Sequence, residues 1–246
     1  MGATEIWLVR HGESEANPIA TAAQRSGAET IDVEWRDADV PLSPTGEEQA
    51  AAFGTWLAEQ ARPGVPATVW SSPYLRARQT ADIALAAAGL DLHPLVDERL
   101  RDRELGVLDR LTALGVERRH PEEAARRRHL GKFYHRPPGG ESWADVALRI
   151  RSFLGDVDRA DDAGTMLVVA HDAVVMLFLS VCTGLGEQEL LDFARDHVVT
   201  NASVTRLERA SGRGGWTLAE FAADEHLERQ GVETTEHKGD TDERAR

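Results

Sequence analysis

The chain has one cysteine, Cys182, so no intrachain disulfide can form and a reducing compartment suits it. Its place in an apolar stretch reads as a small buried hydrophobe. No apolar run is long enough to cross a bilayer, and Met1-Gly2-Ala3-Thr4-Glu5 lacks the basic, then apolar, start of a secretory leader. Positive charge is scarce, with 28 Lys and Arg against 42 Asp and Glu, a formal net charge of −14. That balance disfavours general nucleic-acid binding and anionic membrane surfaces. Aromatics are sparse, and Trp35, Trp56, Trp70, Trp143 and Trp216 form no basic-aromatic stripe. No His-Glu-x-x-His motif, paired-cysteine spacing or phosphate-cradling glycine loop is present, so neither a metal nor a cofactor is expected. These absences leave a cytoplasmic globular protein, in which any phosphorylated ligand must be met by local cations.

What is present alternates between strands and helices. Short strands are predicted at 5–9, 65–70, 92–96 and 166–170. Thr45 and Glu48 read as a capping box for a helix carrying Ala50, Phe53, Leu57 and Ala61 on one face. Ser72 and Pro73 read as opening a helix to Ala88 that Gly89 ends, and Ser142 with Asp145 as capping a helix through Val157. The helix at 173–182 is apolar nearly all round and should lie deep. A short helix at 187–194 and a hairpin of 203–207 with 216–221 close the pattern. Such alternation predicts an α/β fold, a three-layer α/β/α sandwich on a mainly parallel sheet.

His11 and His171 stand at the downstream ends of the strands Ile6–Val9 and Met166–Ala170. Open α/β sheets bind ligands just beyond the carboxyl ends of their strands. A neutral imidazole is a nucleophile and an arginine clamps phosphate oxygens, so the pair with Arg10 suggests phosphoryl transfer through histidine. Arg76 falls in the first turn of its helix, where the dipole disfavours a cation unless an anion is bound beside it.

Leu8-Val9-Arg10-His11-Gly12-Glu13-Ser14-Glu15-Ala16-Asn17, then Ser71-Ser72-Pro73-Tyr74-Leu75-Arg76-Ala77-Arg78-Gln79-Thr80-Ala81, then Val168-Val169-Ala170-His171, resemble in order the signatures of the histidine phosphatase superfamily, which includes the phosphoglycerate mutases. The resemblance implies a phosphoglycerate mutase-like fold, with His11 as nucleophile and Arg10, Arg76 and His171 around the phosphoryl oxygens. Asn17 would add a neutral donor. The family supplies a carboxylic acid for the leaving group from the loop after the third strand. Alignment on Leu100 and Gly106 places Asp102 there, an aspartate where glutamate is usual, and favours it over Glu104. Asp172 follows His171 where glycine is common, and reads as an N-cap for the next helix or as a neutraliser of a nearby arginine.

These features together imply a metal-independent phosphatase acting on a phosphorylated small molecule through a phosphohistidine. The alternatives are a cofactor-dependent phosphoglycerate mutase and a non-catalytic phospho-ligand binding protein. One domain is expected over 1–222, with a lid-like insertion at about 104–140 whose basic residues from Arg118 to Arg136 read as a solvated helix face or a cover for an anion. From Ala223 the chain carries eight acidic and four basic residues and should be loose. Oligomeric state is open, a homodimer included.

Overall fold

The computed structural model describes residues 2–60, 66–159, 164–211 and 214–237. Its centre is a sheet of six strands among the described residues: β1 (Glu5–Arg10), β2 (Thr68–Ser71), β3 (Leu95–Val96), β4 (Thr165–Ala170), β5 (Val204–Glu208) and β6 (Thr217–Ala223), in the order β3-β2-β4-β1-β5-β6. The strands β3, β2, β4 and β1 are parallel, and β5 and β6 add an antiparallel edge. The helices are α1 (Ala16–Ser26), α2 (Pro44–Gln60), α3 (Leu75–Ala88), α4 (Ala113–Arg119), α5 (Pro121–Tyr134), α6 (Trp143–Val157), α7 (Asp172–Thr183), α8 (Glu187–Asp196) and α9 (Glu225–Arg229).

Both faces of the sheet are covered, which explains why its central strands read as continuous apolar runs. Ile6, Leu8, Met166 and Val168 face the layer of α6 and α7, while Trp7, Val9, Leu167 and Val169 face α2 and α3. The expected three-layer sandwich is therefore what forms. Among the described residues no helix is long and apolar enough to cross a membrane.

Several boundaries differ from expectation for identifiable reasons. Helix α2 starts one residue ahead of Thr45, because Pro44 suits the first helical position and the Ser43 hydroxyl accepts from the Gly46 N–H. Ala61 and the first residue of the strand expected at 65–70 lie outside the described residues. The expected strand 92–96 shrinks to Leu95–Val96 at the sheet edge. Helix α3 starts at Leu75 rather than at Ser72, which is turned to other use. His171, and not Asp172, is the N-cap of α7.

Helix α6 has the expected reciprocal cap: Ser142 accepts from the Asp145 N–H and Asp145 accepts from the Ser142 N–H. Its inward face of Val146, Ile150 and Phe153 is fully buried. Ser142→Ala should cost about 1 kcal/mol, as for other lost N-caps. A urea titration measures it, and an unchanged midpoint would mean the cap adds nothing there.

The stretch from Ala223 was expected to be loose, yet it packs through residue 237. Leu227 and His226 are buried against α2, with His226 packed against the stacked rings of Phe53 and Trp56. Residues 238–246 lie outside the described residues. Cys182 is partly buried at the core edge, and burial pushes its thiol up to about 12, which keeps it protonated.

Candidate active site

Strands β1 and β4 are parallel neighbours, with Arg10 opposite Ala170. The connection after β1 leaves toward β2 and that after β4 toward β5, so a crevice opens between their carboxyl ends. His11 and His171 both emerge into it. The His11 N–H donates to the Ala170 carbonyl at 3.0 Å, which fixes the two loops together. The rings lie 5.2 Å apart, centroid to centroid, at 64°. Both side chains are buried.

The loop after β1 is pinned by a close approach. A Cβ on Gly46 would fall 1.9 Å from the Glu13 carbonyl oxygen, so only glycine lets the start of α2 lie against residues 11–14. The Gly12 N–H donates to Thr80 Oγ1, Gln49 Oε1 accepts from the Glu13 N–H, and Asn201 Nδ2 donates to the His11 carbonyl.

His11 Nδ1 lies 2.6 Å from the Gly12 carbonyl oxygen, an acceptor only, so Nδ1 carries the proton. Nε2 then keeps its lone pair, and Arg76 Nε donates to it at 3.1 Å. Burial, with Arg76 and His171 next, holds the His11 imidazole well below the ordinary histidine range. His171 Nε2 lies 2.8 Å from Ser72 Oγ. That hydroxyl accepts from the Tyr74 N–H, and His171 Nε2 is the acceptor within reach of its own buried proton. The His171 proton then sits on Nδ1, 3.4 Å from Asp102 Oδ2. Burial and then Arg76 likewise hold His171 well below its usual range.

These neutral, buried imidazoles set an acid-side weakness. Below about pH 6.5 the unfolded chain protonates both rings and the folded chain does not. The unfolded state then binds more protons, so stability falls as pH drops below that value, by up to about 1.4 kcal/mol per pH unit for each ring. Denaturant titrations between about pH 7.5 and 5.5 should show this slope. His11→Ala should flatten it by one ring's share, and an equal slope in the variant would contradict the neutral ring.

Arg76 enters from the first turn of α3, as expected, and is buried. Besides His11, its Nη2 donates to Asp102 Oδ2 at 3.2 Å, and its Nη1 to the Asp37 carbonyl and carboxylate at 2.6 and 2.9 Å. Its guanidinium carbon stands 5.0 Å from the Tyr74 ring centroid. Arg10 is buried alongside, but its outer nitrogens are taken by the carbonyls of Val199 and His237 at 2.5 and 2.8 Å. Burial lowers its pKa, against the pull of Asp172 and Asp102. Asp172, though not the N-cap, accepts from the Ala173 N–H in the first turn of α7, and its charge also acts on Arg10.

Asp102 accepts from the Arg103 N–H at 2.8 Å and from Arg76, and its carboxylate is the one beside His171. Glu104 sits one layer out, half-exposed, accepting from the Tyr74 hydroxyl at 2.9 Å. Asn17 lies in the first turn of α1 and its Oδ1 accepts from the Ser14 N–H and hydroxyl, so it braces the loop. The crevice therefore gathers His11, Arg76, His171 and Asp102, with Arg10 beside them and Asn17 supporting from the loop. Among the described residues no group of His, Cys, Asp and Glu is placed to hold a metal ion.

Sequence reasoning passed over Asp37, Asn201 and His237, and read Ser72 as a helix start. Asp37 belongs to a polar stretch with no periodicity to place it. Ser72 and Tyr74 belong to the segment 71–81 that resembles the family signature, and carry no other signal in the sequence. Several basic residues of this segment are used within the protein: Arg118 and Arg119 of α4 pair with Glu29 after α1, Arg126 of α5 with Glu123, and Arg136 beyond α5 with Asp145.

Against known proteins, the family model for the histidine phosphatase superfamily (branch 1) matches residues 6–224. The chain is 31% identical over 175 residues to the 6-phosphofructo-2-kinase/fructose-2,6-bisphosphatase of Caenorhabditis elegans, covering 71% of this chain and 33% of that protein. It is thus similar to about a third of that enzyme's length. It is 30% identical over 233 residues to "Probable phosphoglycerate mutase GpmB" of Enterobacter sp. (strain 638), covering 91% of this chain and 95% of that one. Among solved structures, a mycobacterial glucosyl-3-phosphoglycerate phosphatase aligns with a TM-score of 0.68 at 26% identity, covering 90% and 99% of the two chains. The alpha-ribazole phosphatase of Shigella flexneri shares the fold with a TM-score of 0.68 at 20% identity, covering 89% and 96%. With its two buried imidazoles and the arginine on His11 Nε2 in one crevice, the chain belongs to the histidine phosphatase superfamily, branch 1.

Proposed function

We propose that the protein hydrolyses a phosphate monoester through a phosphohistidine at His11. The observation that carries this reading is the unprotonated His11 Nε2, addressed by Arg76 Nε and facing His171. Nε2 attacks phosphorus in line with the leaving oxygen. The His171 Nδ1–H and the Arg76 guanidinium supply donors for the phosphoryl oxygens, where transition-state charge is spread. Arg10 adds charge from beside them. Asp102 takes up the proton that a monoester monoanion carries in and passes it to the departing alkoxide, and its carboxylate then takes a proton from the water that cleaves the phosphohistidine.

Superfamily membership and the phosphatases among the structural relatives support hydrolysis. The substrate in this proposal is a small phosphorylated metabolite met in the cytoplasm, with no metal required. Release of inorganic phosphate from a panel of phosphorylated metabolites in the presence of a chelator tests it. No release from any of them, or activity only with added divalent metal, would refute it.

The mutase reading has one observation in its favour, the GpmB-type relative matched over nearly its whole length. Incubation with 3-phosphoglycerate and 2,3-bisphosphoglycerate separates the two. Isomerisation without phosphate release would replace the hydrolase reading.

A further inference from the structure

Arg76 is the arginine nearest the nucleophile, and two carboxylates already hold it. Asp102 takes Nη2 and Asp37 takes Nη1, twice over, through its carboxylate and its backbone carbonyl. Asp37 comes from the short turn Asp37–Asp39 between α1 and α2, not from the sheet loops that build the rest of the crevice. It shares the guanidinium with the proton donor of the proposed mechanism. It holds Nη1, away from the Nε that addresses His11, and its carboxylate is half-exposed.

More negative charge gathers around it. Asp109 is close enough that Asp37 raises its pKa, after burial, and the Tyr74 phenol is pushed up by burial, by Asp37 and by its bond to Glu104. Several nearby cations have partners of their own. Arg36 pairs with Asp39, Arg110 donates to the Trp35 carbonyl, and Arg101 and Arg149 both hold Glu141. A leaving group entering here meets carboxylates that accept hydrogen bonds and repel anions.

We propose that Asp37 is a specificity-determining residue that restricts the substrate to monophosphates of hydroxylated leaving groups without negative charge, and rejects those bearing a carboxylate or second phosphate beside the ester. This rests on the phosphate site described above and names its substrate class. A hydroxyl on the leaving group donates to the Asp37 carboxylate, while a carboxylate in the same place meets it as a like charge. Discrimination comes from building repulsion against the wrong ligand as well as attraction to the right one.

Glycerol 3-phosphate and 3-phosphoglycerate form a matched pair, alike except that a hydroxymethyl in one is a carboxylate in the other. As competitors of p-nitrophenyl phosphate hydrolysis, the glycerol ester should bind the native enzyme at least about tenfold more tightly. Asp37→Asn should shrink that ratio at least about fivefold, mainly through tighter 3-phosphoglycerate. Asp37→Glu should keep the native order, which a merely structural role for Asp37 would not require. Equal affinities, a preference for 3-phosphoglycerate, or an Asn variant with the native ratio would overturn the proposal. Calorimetric titration of the His11→Ala protein with both esters reads the same preference without turnover. An enzyme that fails to hydrolyse p-nitrophenyl phosphate would thus refute the hydrolase reading alone. Absence of binding by either ester, or the reverse order, in the calorimeter would refute the selectivity.

Discussion

His11→Ala should abolish turnover, lowering kcat by about 10⁴-fold or more, as loss of a covalent nucleophile does elsewhere. The native geometry leaves this ring one productive role. Its Nδ1 proton is held by the Gly12 carbonyl, and its Nε2 is the atom turned to Arg76. A free imidazole would spend part of its time protonated near neutral pH, and burial beside Arg76 keeps this one neutral. The variant keeps Arg76, His171 and Asp102, so phosphate esters should still bind, with affinity changed far less than rate. Brief incubation of the native enzyme with a ³²P-labelled ester, then rapid denaturation, should trap label that is lost in acid and survives base, the behaviour of a phosphoramidate. The variant should trap none. Turnover within about tenfold of native, or undiminished acid-labile label, would place the nucleophile elsewhere.

How legible the site was depends on the range of the forces that place each group. His11 and His171 were readable because each ends a strand buried on both faces, and a continuous apolar run followed by a polar residue marks a strand end in one dimension. Arg76 was readable because it stands in a family motif, and its place in a first helical turn, where a cation is favoured beside an anion, agrees with that motif. Asp37 was not. The stretch around it is polar and aperiodic, and what sets its position is its bond to Arg76, 39 residues on. The chain after Ala223 shows the opposite error. Its average composition is that of a solvated tail, yet Leu227 and His226 dock on α2. Beyond them His237 is fixed by Glu13, by Thr21 and, through its carbonyl, by Arg10. A few anchoring residues outweigh an average over the whole segment, because each buried side chain is worth roughly 1.5–3 kcal/mol. The helix starts at Pro44 and Leu75 were missed by one to three residues for a related reason: Thr45 and Ser72 are both good capping residues, and only the packing decides which hydroxyl is used.

Asp102→Asn should separate substrates by how much help their leaving groups need. Expelling an alkoxide from phosphorus requires a proton, and a positioned acid contributes about 10²–10⁴-fold to such a step. p-Nitrophenolate is stable enough to leave unaided. The variant should therefore lose at least about 10²-fold in kcat on an alkyl phosphate and less than about tenfold on p-nitrophenyl phosphate. Asparagine keeps an oxygen for the Arg103 N–H, so the loop should hold its shape. It also removes one of the two carboxylates that neutralise Arg76, so KM for the ester should fall or stay level while kcat drops. A loop that had simply collapsed would raise KM for both esters together. Glu104→Gln is the control, since Glu104 lies beyond Tyr74 and contacts neither imidazole. It should leave the ratio of alkyl to p-nitrophenyl rates near the native value. If Glu104→Gln shows the leaving-group dependence and Asp102→Asn does not, the proton comes from the outer carboxyl, through a rearrangement on binding that carries Tyr74 with it.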